Sequence, residues 1–132
     1  MTDPRLEKWE KRLKAVFNGI DEYLEKKYGG RYPLHPSRAP NGTTGNAAYD
    51  GLFDVGAAFS AGLGSEHGAG YVVEVRMATL SSVPPELLRE IGEEVAERLR
   101  AELPRAFPGR DLVVERDGNV YKICGDLGLD EV

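Results

Sequence analysis

Apolar residues recur every three or four positions from Leu6 to Tyr28: Leu6, Trp9, Leu13, Val16, Phe17, Ile20, Tyr23, Leu24 and Tyr28. That spacing gathers them on one stripe and predicts a helix over 4–28. Asp3 is placed to cap its start, Pro4 suits its first turn, and Gly29-Gly30 predicts a left-handed stop. Glu7–Lys11, Glu10–Lys14 and Glu22–Lys26 are pairs four residues apart, in the favourable orientation on the outer face. A stripe of this kind is expected to cover a sheet.

The period then changes to two. Tyr71, Val73, Val75 and Met77 alternate with Val72, Glu74, Arg76 and Ala78, predicting a strand from 71 to 80 with one wetter face. Its partner strand is expected to begin within 49–52 and to end within 59–61. Residues 50–80 thus read as a hairpin whose connection, 62–70, is rich in glycine. Helical spacing returns with Leu88, Ile91, Val95, Leu99 and Leu103. Ser81 or Ser82 is the expected cap, Pro84-Pro85 enters the first turn, and Pro104 is the expected terminator, giving a helix over 84–103. Gly92 lies beside this stripe at a cost of about 1 kcal/mol relative to alanine, which predicts close packing of helix on sheet. Finally, Leu112–Arg116 and Asn119–Cys124 flank Asp117-Gly118. This predicts a hairpin over 111–125 closed by a type I′ turn.

The order is therefore α-β-β-α-β-β. Two helices on one face of a four-stranded sheet satisfy the layer rule, so 1–132 is read as a single α+β domain, a two-layer sandwich. At 132 residues the chain is long enough to bury a core of its own. This plan recurs among unrelated proteins, so function has to be argued from a site.

The pattern leaves 29–49 unassigned. Pro33, Pro36 and Pro40 lead into Gly42-Thr43-Thr44-Gly45-Asn46, too long a stretch for an ordinary connection. Eight of the sixteen glycines lie between Arg38 and Arg76, an interval without lysine or arginine. Glycine permits tight bends and lets backbone N–H groups face an anion. Function is therefore expected in the glycine-rich 31–70 region, with Thr43, Thr44, Asp50, Asp54, Ser65, His67 and Arg76 as the candidate ligand-binding residues. Asp50 and Asp54 are expected on the same side of one extended strand, the spacing of a carboxylate pair for acid–base work.

Composition narrows the classes. The chain is 41% hydrophobic and 30% charged, with a formal net charge of −5. An acidic surface argues against nucleic acid and against anionic lipid, which both need a concentrated positive field. A single cysteine, Cys124, allows no internal disulfide, and there is neither an apolar leader nor a run long enough for a membrane span. The expectation is a cytoplasmic protein. Glutamine is absent while Glu, Arg and Lys are plentiful, a composition common in heat-adapted proteins.

Known motifs are excluded one by one. Gly62, Gly64 and Gly68 lead into a strand, whereas a dinucleotide fingerprint opens a helix. Gly42-Thr43-Thr44-Gly45 sits in a proline-bounded loop, not between the two helices of an RNA-binding KH module. His35 and His67 fall in separate loops, Cys124 in an apolar strand, and no spacing matches a metal site or a nucleophile elbow. No catalytic residue, metal or cofactor is predicted. The functional expectation is a small non-catalytic binding or assembly domain whose partner is another protein or a second copy in a homodimer. Two alternatives stand beside it: a small enzyme or small-molecule or anion binder with a pocket near Asp50, Asp54, Ser65 and His67, and an acidic chaperone-like adaptor.

Overall fold

Helix α1 spans Pro4–Tyr28. The Asp3 carboxylate accepts the Arg5 N–H at 2.9 Å and so caps its first turn. The computed structural model to which this helix belongs describes residues 3–46, 50–61 and 68–125. Trp9, Leu13, Phe17, Ile20, Leu24 and Tyr28 form the buried stripe, and Asp21 is buried among them. The expected left-handed stop is not made. Gly29 remains right-handed, at φ −56, and donates its N–H to the Glu25 carbonyl. A Cβ at Gly29 would lie 2.4 Å from that oxygen, so glycine answers a close backbone approach there and not a positive φ.

Helix α2 spans Pro85–Ala106 and begins without a side-chain cap, contrary to the serine expectation. Ser81 instead donates its own N–H to Thr79 Oγ1 upstream of the helix. The helix also runs past its expected end at 103, carrying Pro104 inside its last turn. The reason is Phe107, whose N–H reaches the Leu103 carbonyl at 2.8 Å while its ring packs 4.2 Å from that of Trp9. Burying that ring offsets the hydrogen bond the proline gives up.

Four strands, β1 Phe53–Ser60, β2 Gly70–Met77, β3 Leu112–Asp117 and β4 Val120–Gly125, form one antiparallel sheet in the order β1-β2-β4-β3. The two helices cover one face, as the α-β-β-α-β-β order predicts. Phe53, Val55, Tyr71, Val73, Val114 and Ile123 meet the stripes of α1 and α2 in a single core. The Trp9 indole N–H donates to the Tyr71 hydroxyl at 3.1 Å, tying α1 to β2. Glu94 of α2 accepts from the Tyr23 and Tyr28 hydroxyls and from Lys27, which clasps the helices together. A Cβ at Gly92 would meet Tyr121 of β4 at 3.9 Å, an ordinary van der Waals distance, so the close helix–sheet packing expected there is not what calls for glycine.

The β3–β4 turn differs in type. Asp117 pairs with Val120, which leaves Gly118-Asn119 as the two loop residues. Among the described residues only glycines have positive φ, Gly118 at 64, so the turn has the type II′ pattern. Asp117 stays in the strand because its carboxylate pairs with Lys122 Nζ at 3.1 Å. Lys122 is itself buried and also donates to the Gly68 carbonyl at 2.6 Å.

The proline- and glycine-rich stretch is tied to the core where it is described. Arg38 donates to the carbonyls of Asp50, Gly51 and Phe53 at 2.9–3.1 Å. Gly51 N–H reaches Ala39 O at 2.9 Å, and His35 N–H reaches Ala78 O at 2.8 Å. Glu25 of α1 accepts the Phe53 N–H at 2.9 Å. β1 consequently starts at Phe53, later than the pattern implied, because Gly51 turns the chain at φ +76. A Cβ at Gly51 would lie 2.2 Å from Glu25 Oε2. Gly51→Ala therefore combines left-handed strain with a clash against a used carboxylate, and is expected to cost about 3 kcal/mol in urea denaturation. Gly42→Ala, at φ +84 with open space around it, is expected to cost about 1 kcal/mol; equal losses at the two positions would refute the clash.

Candidate functional site

The described candidates fall into two groups, Thr43, Thr44 and Asp50 in one and Asp54 and Arg76 in the other. Asp50 is buried, and its carboxylate accepts both the Thr44 N–H at 3.0 Å and the Thr44 hydroxyl at 2.7 Å. Those bonds, the hydroxyl first, hold the Asp50 carboxyl below the usual carboxylate range. Thr43 turns its hydroxyl onto the Pro40 carbonyl at 2.6 Å. Asp50 and Thr44 thus satisfy one another inside a turn. They do not line an anion nest.

Asp50 and Asp54 do not share one side of a strand either. Gly51 breaks the extended chain between them, and Asp54 alone belongs to β1. Asp54 sits opposite Arg76 in the β1–β2 register, and both border a shallow groove on the sheet edge. Arg76 is bound to Glu74 at 2.9 Å and is largely exposed. Ser65 and His67 lie outside the described residues. His35 has a structural task, its Nδ1 accepting the Ser37 N–H at 3.0 Å. Cys124 is buried in β4, and burial pushes its thiol up.

The geometry instead brings Asp54 towards a residue that the motif search passed over. A cleft of about 270 Å³ lies between the flank of α1 and the edge strand β1. Glu10, Lys14, Asn18 and Asp21 of α1 line one side, and Asp54, Val55, Gly56 and Ala57 line the other. Leu13, Phe17 and Tyr71 complete an apolar floor. Asp21 is only 2% exposed, and its Oδ1 has no hydrogen-bond partner. A buried carboxylate oxygen in that state is costly unless something else answers it. Burial, and after it the charges of Glu25 and Asp50, push the Asp21 carboxyl up to about 7. Glu25 is raised as well, by burial, although the N–H groups of Phe53 and Leu52 oppose that rise.

The sequence did carry a trace of this site. Lys14, Asn18, Asp21 and Glu25 are spaced four, three and four apart, a polar line along α1 that borders the apolar stripe. A carboxylate at position 21, between Ile20 and Leu24 of the buried stripe, was the signal. Among the described residues, no group of three or more His, Cys, Asp or Glu side chains is arranged to hold a metal ion. Among those residues, too, no helix is long and apolar enough to cross a membrane.

A family model described as "Uncharacterised protein" matches residues 4–125, from the first turn of α1 to the last residue of β4. An "Uncharacterized protein" of Borreliella burgdorferi is 35% identical over 125 residues, covering 95% of this chain and 98% of its relative. No solved structure matches the chain.

The buried acid gives the stability a definite pH slope. Between the ordinary carboxyl value of 3.8 and about 7, folded Asp21 holds a proton that the unfolded chain has lost. Its contribution to stability therefore falls as pH rises through that window, by at most about 1.4 kcal/mol per pH unit. Asp21→Asn is expected to remove that fall. The stability difference between variant and wild type, followed by denaturation from pH 4.5 to 8, should move steadily in favour of the variant. A difference that stays constant with pH would contradict the assignment.

Proposed function

The chain belongs to this uncharacterised family, and we propose that it is a small non-catalytic binding and assembly domain that works through the open edge of β1. The supporting observation is an asymmetry between the two edges of the sheet. Among the described residues β1 and β3 each pair on one side only. β3 is guarded, since Glu115, Arg116 and Asp117 make up half of its length. β1 reads FDVGAAFS, with one charge near its start and none from Val55 to Ser60. Phe59, near its end, is 62% exposed. A long, uncharged edge strand with a bare aromatic ring is a template for another strand, and proteins that stay single normally blunt it.

A second copy is the partner that β1 fits best. Antiparallel self-pairing about Ala57 sets Val55 opposite Phe59, Gly56 opposite Ala58 and Asp54 opposite Ser60. Apolar meets apolar, and no two carboxylates meet. The arrangement closes with two-fold symmetry and extends the sheet to eight strands with both helix pairs on one side. The role expected for the 31–70 region thus falls on its strand, while its described turns hold that strand in place.

Sedimentation velocity tests this reading. Wild-type protein is expected to self-associate at concentrations of the order of 1–100 µM. Ala58→Lys, on an exposed position of β1, is expected to yield a folded monomer. Val113→Lys, on the other edge, is expected to leave association unchanged. A wild-type protein that is monomeric throughout, or a Val113 variant as disruptive as the Ala58 variant, would overturn the proposal.

A further inference from the structure

The cleft between α1 and β1 holds an acid that the fold leaves unanswered. Asp21 is buried there with an orphaned Oδ1, and Asp54 stands on the opposite wall. Among the described residues neither forms an ion pair. Glu10 and Lys14 also line the cleft, both exposed, whereas the charged groups behind it have tasks. Glu25 receives the Phe53 N–H, Asp50 is bound to Thr44, and Arg38 spends hydrogen bonds on the carbonyls of Asp50, Gly51 and Phe53. Asp21, Asp54, Glu25, Asp50 and Glu10 outnumber Arg38 and Lys14, so the net charge around the cleft is negative. Leu13, Phe17, Val55 and Tyr71 supply an apolar, partly aromatic floor, and Lys14 and Asn18 border it.

We propose that this cleft is a binding site for a small organic cation, an ammonium or guanidinium group carried on a short apolar stem. The charged head supplies the hydrogen-bond donor that Asp21 Oδ1 lacks, and the charge of Asp54 on the adjoining strand adds to the field that favours it. The stem lies on Leu13, Phe17 and Val55, and the ring faces of Phe17 and Tyr71 favour a positive head over a neutral one. An anion would meet Asp21 and Asp54 at the same place and be repelled. A volume of about 270 Å³ admits a group of amine size and excludes a nucleotide or a sugar chain. This inference goes beyond the proposed edge-to-edge assembly and does not require it.

The test uses phenethylammonium as the probe, with 2-phenylethanol as its neutral match and 3-phenylpropanoate as its anionic one. Each is titrated into the full chain at pH 8 while backbone amide resonances are followed by NMR. The expected result is saturable shifts at Phe17, Asp21 and Val55 with phenethylammonium, at a dissociation constant of the order of 1 mM. The alcohol should bind at least roughly tenfold more weakly, and the propanoate should not bind. Asp21→Asn, which removes a buried charge and should fold at least as well as wild type, is expected to abolish the preference for the amine over the alcohol. The same titration on the Ala58→Lys variant separates the two proposals, because Ala58 does not line the cleft. Binding retained there supports the cleft whatever the state of assembly. Equal affinity for amine and alcohol, a preference that survives in Asp21→Asn, or no shift at about 50 mM amine would each overturn the inference.

Discussion

Residues Asp50 to Phe53 are buried, yet all but the last precede the first strand and none belongs to a helix, so their backbone groups cannot be left to regular structure. Two side chains meet that demand from opposite sides. Arg38 donates to three of the carbonyls, and Glu25 accepts an N–H from the same short stretch. The pairing works because each charge matches the polarity of the backbone groups it meets, and charge-assisted bonds of this kind are stronger than neutral ones. The position at which β1 begins, and hence its register against β2, follows from this clamp. So does the width of the gap between β1 and α1, because Glu25 is itself a residue of that helix.

The clamp also explains why acids accumulate at one place. Glu25 must sit on the flank of α1 to reach Phe53, and Asp50 must turn inward to hold Thr44. Both bring negative charge into a region where the sequence supplies no lysine or arginine between Arg38 and Arg76. Asp21 lies one turn before Glu25 on the same polar line and inherits that field without a backbone group of its own to bind. Structural acids and the unanswered acid are thus neighbours, and only the hydrogen bonds tell them apart. Lys122 is the contrasting case on the far face of the sheet. It is as buried as Asp21, but it has both a carboxylate and a carbonyl as partners.

Periodicity made the elements legible. Both helices, all four strands and their order could be read from spacings of 3.6 and two, because each element buries one face against a single core. The terminal details went to tertiary contacts instead. Phe107 packing on Trp9 carried α2 through a proline that would otherwise have ended it, and the Lys122–Asp117 pair moved a turn by one residue. The site was less legible. Glycines, threonines and Asp50 in the long segment looked like ligand-binding groups because side chains of that kind do bind ligands. In the folded chain they bind the chain itself, which no local pattern could reveal. Asp54 stood out for its isolation among uncharged residues, and the fold ends that isolation by setting Arg76 opposite it. Asp21 escaped because an acid within an amphipathic stripe is easily absorbed into the helix pattern.

The edge and the cleft share a strand, and this has an energetic consequence. Val55, Gly56 and Ala57 form one wall of the cleft and lie within the uncharged part of β1, at the open edge of the sheet. A strand added at that edge would border the cleft mouth, and a cation inside would neutralise Asp54 just where a second copy approaches. A cation in the cleft and a strand at that edge would act on the same few residues, so whatever each did to the affinity of the other would be reciprocal. The unguarded edge and the unanswered acid then have a common origin. A chain that kept lysine and arginine out of β1 left that edge without the charges that blunt a strand, and it left the acid beside it with no cation bound to its Oδ1.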